Sequence, residues 1–171
     1  MPKPSTTAYP VYFKQYVDQV PEEDLSAAFS NQWPVINNFL SAITEERSIY
    51  AYAAGKWTIK EVLQHIIDTE RIFNYRALCF SRKETASLPG FNENDYAANA
   101  HANARTWQNL VEEFMAVRQS TEWLFNSFSD DMMTSFGLSN NNPASVQSLG
   151  FITIGHFYHH QKVIEDKYLS K

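Results

Sequence analysis

The sequence is poor in several things, and each scarcity removes a class of protein. One cysteine, Cys79, stands among 171 residues, so neither an internal disulfide nor a cysteine-pair zinc site can form. Only five glycines are present, which speaks against a β-rich or loop-rich fold. No apolar run approaches the ~20 residues that a bilayer span requires. The N-terminus has no basic n-region and no unbroken apolar h-region, so a cytoplasmic protein is expected. Positive charge is in deficit: 14 Lys and Arg against 19 Asp and Glu leave a formal charge of -5. That is the wrong sign for a polyanion-binding surface, so neither nucleic acid nor anionic membrane is an expected partner.

Familiar catalytic signatures are missing too. There is no G-x-S-x-G, P-loop, dinucleotide fingerprint or H-E-x-x-H. A ferritin-like di-iron site needs Glu three residues before His on two helices, and those positions hold Val62, Ala98, Thr153, His156 and Phe157.

What remains is helical. With 44% hydrophobic residues, a chain of this length can bury roughly 70% of its unfolded surface, which fits one domain over residues 1–171. Residues 1–20 mix Pro2, Pro4 and Pro10 with Tyr9, Tyr12, Phe13 and Tyr16. They are too proline-broken for a long helix and too aromatic for water, and so predict an ordered arm packed on the body. Leu25, Phe29, Ile36, Leu40 and Ile43 recur at helical spacing after an acidic start, with Pro34 expected to kink that first helix or to delay its start. The run Thr58-Ile59-Lys60-Glu61 is a capping box. It opens a second helix whose stripe includes Val62, Ile66, Phe73 and Phe80 and ends near Arg82. Residues 83–99 read as a loop with at most one helical turn. Trp107, Leu110, Phe114, Val117 and Phe125 mark a third helix. A fourth opens either on Asn142 with Pro143 or slightly later on Ser145, and runs through Val146, Leu149, Ile152, His156 and His160 to Tyr168. Four helices of about 20 to 26 residues bury four stripes as an all-α four-helix bundle. The long connection between helices 2 and 3 can return along the bundle, giving up-down-down-up order.

Three of the five histidines fall in residues 155–160. His156 and His160 are i and i+4, so their imidazoles share one helix face at a separation that a metal ion can bridge. Taken alone, that pair is a weak signal, better explained by hydrogen-bonded interfacial histidines. Two features favour a metal: both lie on the apolar stripe, where an unpaired imidazole is costly, and His65 lies near the start of helix 2, level with them if helices 2 and 4 are antiparallel. Three neutral imidazoles suit a divalent ion, zinc or nickel, with a coordination position open. His159 points about 100° away from His160 and is a candidate for an outer role. His101, in a polar segment, is expected to be solvated. Asp68 and Glu70 are either surface carboxylates or ion-pair partners of Arg71 and Arg76 or, for Asp68 at i+3, a group that orients His65 or approaches the metal. Asp68, His159 and Arg118 are the candidate catalytic groups, and Cys79 reads as core filling.

The sequence resembles the DinB/YfiT-like superfamily of metal-dependent enzymes across residues 55–73, 113–118 and 155–160, and also in the arm at 12–17 and the loop at 88–91. The resemblance implies an up-down-down-up bundle with a divalent metal on one histidine of helix 2 and two of helix 4, which here are His65, His156 and His160. Relatives include S-transferases that use low-molecular-weight thiols such as bacillithiol, a mycothiol-dependent maleylpyruvate isomerase, and proteins described as hydrolases. The implied function is a thiol-dependent S-transferase acting on a small-molecule substrate with a thiol cosubstrate. A metal-dependent hydrolase and a non-enzymatic bundle with a structural metal are the alternatives. The aromatic surface and the habits of such relatives suggest a homodimer.

Overall fold

A computed structural model describes residues 1–170. Its helices are α1 (Lys14–Val17), α2 (Leu25–Ser41), α3 (Glu45–Ser48), α4 (Ile59–Ser81), α5 (Glu93–Ala100), α6 (Trp107–Asn126), α7 (Asp130–Met133) and α8 (Val146–Ile164). One hairpin, β1 (Phe136–Ser139) paired antiparallel with β2 (Asn142–Ser145), precedes α8. The four long helices each open on a side chain that satisfies an otherwise orphaned amide. Asp24, Thr58, Thr106 and Ser145 accept from the backbone N–H groups of Ala27, Glu61, Asn109 and Ser148, each cap contributing about 1 kcal/mol. At Thr58 the box is complete, because its own N–H donates to Glu61 Oε2 at 2.7 Å.

Contacts between the helices fix their directions. Along α2 and α8, Leu25 meets Gly150, Gln32 donates to the Ile154 carbonyl, and Phe39 meets Phe157, so these two run parallel. Trp33 bonds Glu122 whereas Leu40 accepts from Trp107, so α2 and α6 are antiparallel. Glu70 contacts Arg118 and Asn74 contacts Thr121, which sets α4 parallel to α6. The Tyr168 hydroxyl, in a π turn that extends α8, donates to the Trp57 carbonyl just before α4, so α4 and α8 are antiparallel. The order is up-down-down-up, as the sequence implies.

The core is divided. One apolar cluster holds Leu25, Phe29, Phe80, Phe125 and Phe151; the other holds Ile36, Leu63, Ile67, Phe114 and Phe157. A polar belt that joins all four long helices lies at the junction. Arg118 grips Glu70 through Nε–Oε1 at 2.9 Å and Nη2–Oε2 at 2.8 Å, and its Nη1 donates to Gln32. Gln32 in turn donates to Ile154 O at 3.0 Å. Thr121 donates to Glu70 at 2.6 Å.

The arm packs as expected, burying Tyr16, Val17 and Val20. It lies on α8 at Gly155, where a Cβ would stand 2.0 Å from the Tyr16 carbonyl oxygen. Only glycine permits that approach.

Three expectations need correction. First, Pro34 does not delay α2, which begins at Leu25 and passes through it. Pro34 and Ser30 are both exposed, so water can satisfy the carbonyl left without a donor. Second, the stretch read as loop contains α5, eight residues capped by Asn92. It buries only Ala97 and therefore carries no apolar stripe to read. Third, Asn142 and Pro143 do not open the fourth helix; they belong to β2, and Ser145 is the cap. The all-α bundle holds, and one small hairpin, β1–β2, accompanies it. Its two-residue turn, Asn140-Asn141, has both φ values positive at 49° and 60°, the geometry that matches strand twist in a tight hairpin. Among the described residues no helix is long and apolar enough to cross a membrane.

Candidate metal centre

His65 sits in the second turn of α4, fixed by the capping box behind it, and His156 and His160 lie one turn apart near the end of α8. Antiparallel packing brings them together. The Nε2 of His156 stands 3.1 Å from that of His65 and 3.0 Å from that of His160. Ligand atoms of all three fall within 4.8 Å of one another. A tetrahedral ion with Zn–N bonds of 2.0–2.1 Å spaces its ligand atoms by about 3.3 Å, so the two spacings from His156 match such an ion to within a few tenths of an ångström.

Electrostatics favour the same reading. His65 and His156 are buried and His160 is partly so. Burial, then the His159 imidazole, lowers the His65 pKa from 6.5 to about 4. Burial, reinforced by the other histidines, holds His156 and His160 well below the usual range. All three are neutral at pH 7 and present lone pairs rather than charges, the form that binds metal. Aromatic rings enclose them. Trp57 lies 5.0 Å from His65, Tyr16 lies 5.3 Å from His156, and Phe73 lies 6.2 Å from His156, between ring centroids.

The cluster forms part of the wall of a cavity of about 600 Å³ between the arm, α4, α8, the hairpin turn and the loop at Gly90-Phe91. Its surface is mostly aromatic and aliphatic, with Arg76 and Glu93 the charged exceptions.

The other sequence candidates separate. His159 lies on the cavity wall, its ring 5.2 Å from Tyr16 and 5.0 Å from His160, outside the three-histidine cluster. Asp68 accepts from Gln64 at 2.9 Å and faces a different surface groove. One turn on from His65, the Thr69 hydroxyl stands 3.4 Å from His65 Nδ1. Arg118 is locked into the belt and does not line the cavity. Glu70 is neither a surface carboxylate nor a partner of Arg71 or Arg76: it is 1% exposed and bonds Arg118. Arg71 pairs with Glu113 instead. His101 is exposed, closing α5 in the left-handed conformation, and Cys79 packs against the core.

Two site residues were not identified from the sequence. Arg76 was read only as an ion-pair partner, although 65, 69, 73 and 76 follow one helix face. Tyr16 reaches the histidines from 140 positions away, and the only trace of it is the small residue Gly155 beside His156.

A family model of the DinB superfamily matches residues 12–164. Among solved structures, the chain superposes on YfiT from Bacillus subtilis with a TM-score of 0.69, covering 95% of each chain at 12% identity. That protein is described as a probable metal-dependent hydrolase with an unusual four-helix bundle topology. At such low identity the likeness is one of fold. None of the curated proteins matches the chain. Because the family model spans all four long helices and the three histidines, the chain belongs to the DinB superfamily.

Proposed function

We propose that the chain is an enzyme whose divalent ion, zinc or nickel, is held by His65, His156 and His160. The proposed reaction joins a low-molecular-weight thiol to an electrophile: R–SH and R′–X give R–S–R′ and HX. The observation that carries this reading is the convergence of three neutral imidazoles, two buried and one partly so, on the wall of a largely apolar cavity. Three nitrogen ligands leave a position open, the arrangement of catalytic rather than structural sites. When bound, such an ion lowers the pKa of a thiol that joins it, so that thiolate forms at neutral pH.

The chain's own residues supply the setting. Trp57, Tyr16 and Phe73 exclude water from around the imidazoles. His159, whose pKa is lowered by burial and then by Lys167, is neutral on the cavity wall and is the candidate acceptor for the thiol proton. Among the described residues no carboxylate joins the histidine cluster, and Glu93, the one acid on the cavity wall, is exposed. A thiol acidified by a metal manages without a fixed general base, whereas attack by water benefits from one. Metal-dependent hydrolysis is the second reading, supported by the description of YfiT.

The test starts from protein purified without a His tag. Metal analysis is expected to find about one equivalent, lost in His156→Ala. Bacillithiol, glutathione, coenzyme A and cysteine are then offered with a reactive haloarene, alongside an activated ester. Turnover with one thiol, abolished by chelation and in His160→Ala, is the expected result. Ester turnover alone would move the assignment to hydrolase. Neither activity, with a large fall in melting temperature on chelation, would leave a structural ion, and absence of metal after reconstitution would overturn the site.

A further inference from the structure

The cavity beside the histidines holds one group that metal chemistry does not use. Arg76 on α4 is only 6% exposed. Of the five N–H donors of a guanidinium, one is engaged: Nη2 donates to the Pro89 carbonyl at 2.9 Å. Arg76 belongs to no ion pair among the described residues. Burial alone shifts its pKa, downward, and no neighbouring charge contributes. Arg118 shows what this bundle does with a buried arginine when the protein itself must neutralise it: a bidentate carboxylate and a side-chain amide surround the guanidinium. A desolvated cation without a counter-charge is costly. Among the described residues Arg76 is also the only lysine or arginine lining the cavity, and Glu93, at the exposed edge, makes no ion pair with it.

Phe73 connects the cation to the histidines. The Arg76 Cζ lies 5.9 Å from the centre of the Phe73 ring, and that ring lies 6.2 Å from the His156 ring. The guanidinium carbon therefore sits no farther than about 12 Å from the His156 ring. The Phe13 ring lies 6.1 Å from that of Phe73, and Phe91 adds a further aromatic ring to the cavity wall.

We infer that the acceptor substrate is an elongated organic anion, its carboxylate or similar planar oxyanion held by Arg76, its apolar body laid along Phe73, and its reacting atom at the histidines. The last element rests on the proposed function; the anion site does not. An apolar wall suits the acceptor better than a polar low-molecular-weight thiol, which assigns the anion to that partner. Arginine is suited to the task because its planar fork matches a carboxylate bidentately.

The test uses ω-phenylalkanoates from phenylacetate to 6-phenylhexanoate and the matching neutral amides, titrated by calorimetry into EDTA-treated and metal-loaded protein. Without metal, at least one carboxylate is expected to bind about tenfold or more tighter than its amide. That preference should vanish in Arg76→Gln, survive in part in Arg76→Lys, and be unchanged in His160→Ala. The two Arg76 variants are compared by circular dichroism and melting temperature, so that a folding defect common to both is distinguished from loss of the anion site; if neither folds, the carboxylate preference of EDTA-treated wild type and its insensitivity to His160→Ala decide the matter. No carboxylate preference at any chain length would overturn the inference. So would a preference that appears only with metal and is lost in His160→Ala, because the anion would then sit on the ion and not on Arg76; the metal site itself would stand. Conversely, an Arg76-dependent preference in a protein that takes up no metal would sustain the anion site and sink the proposed function.

Discussion

Replacing Glu70 by Gln should be among the most destabilising single changes in this protein. Glu70 and Arg118 are each 1% exposed and share two hydrogen bonds of 2.9 and 2.8 Å, so the variant strips Arg118 of its counter-charge without opening a cavity. Removing one partner of a buried pair costs about 3–5 kcal/mol, because the remaining charge stays desolvated. Gln32 and Thr121 add to the strain: the first already receives a hydrogen bond from Arg118, and the second donates to Glu70. Against a total stability of order 5–15 kcal/mol, a loss of this size removes a large part of the folded-state margin. The measurement is urea denaturation followed by circular dichroism on EDTA-treated protein, so that metal binding does not mask the change. The partner experiment is the double variant Glu70→Leu/Arg118→Met, which removes both charges at similar volume. It should cost several kcal/mol less than the two single changes together, since no orphan charge is left. A loss under about 1 kcal/mol in Glu70→Gln, or additive single changes, would refute the view that the belt is a desolvated, mutually dependent ion pair.

Two further outcomes follow from the geometry. Metal-stripped protein should lose stability as pH falls, because His65, His156 and His160 are neutral in the fold and protonate in the unfolded chain, which therefore binds more protons. For His65, whose pKa drops from 6.5 to about 4, the loss accumulates between those two values to about 3 kcal/mol and then levels off. The other two act in the same direction. Urea midpoints that do not move between pH 7 and 5 would contradict this. Gly155→Ala should push the arm off α8, since the new Cβ would meet the Tyr16 carbonyl, costing about 1–3 kcal/mol and exposing residues 1–20 to limited proteolysis. Unchanged cleavage there would mean that the arm does not depend on this contact.

The sequence by itself determined the elements whose causes are local. The Thr58 box specifies where α4 begins and the 3.6-residue stripes specify which faces α4 and α8 bury, because a helix end is satisfied by residues three positions away and a stripe by its own period, whereas the choice between Asn142 and Ser145 as the start of α8 waited on the hairpin. The i, i+4 spacing of His156 and His160 put two imidazoles on one face for the same reason, and His65 fell near the matching level through simple rise per residue. Only the tertiary structure decided what depends on residues far apart in sequence. Glu70 reads as a surface acid until α6 brings Arg118 against it from 48 positions away. Asp68, three residues from His65 and the natural candidate to orient it, instead accepts from Gln64 and lines a different groove, beside Arg71 and Arg105. Tyr16 joins the histidines only because Gly155 admits the arm. Arg76 acquires meaning only from the loop at Gly90, the arm and α8 closing around it and leaving its charge without a partner. Periodicity records which face of a helix avoids water; which charged groups that burial then pairs or leaves alone is set by the packing of distant segments.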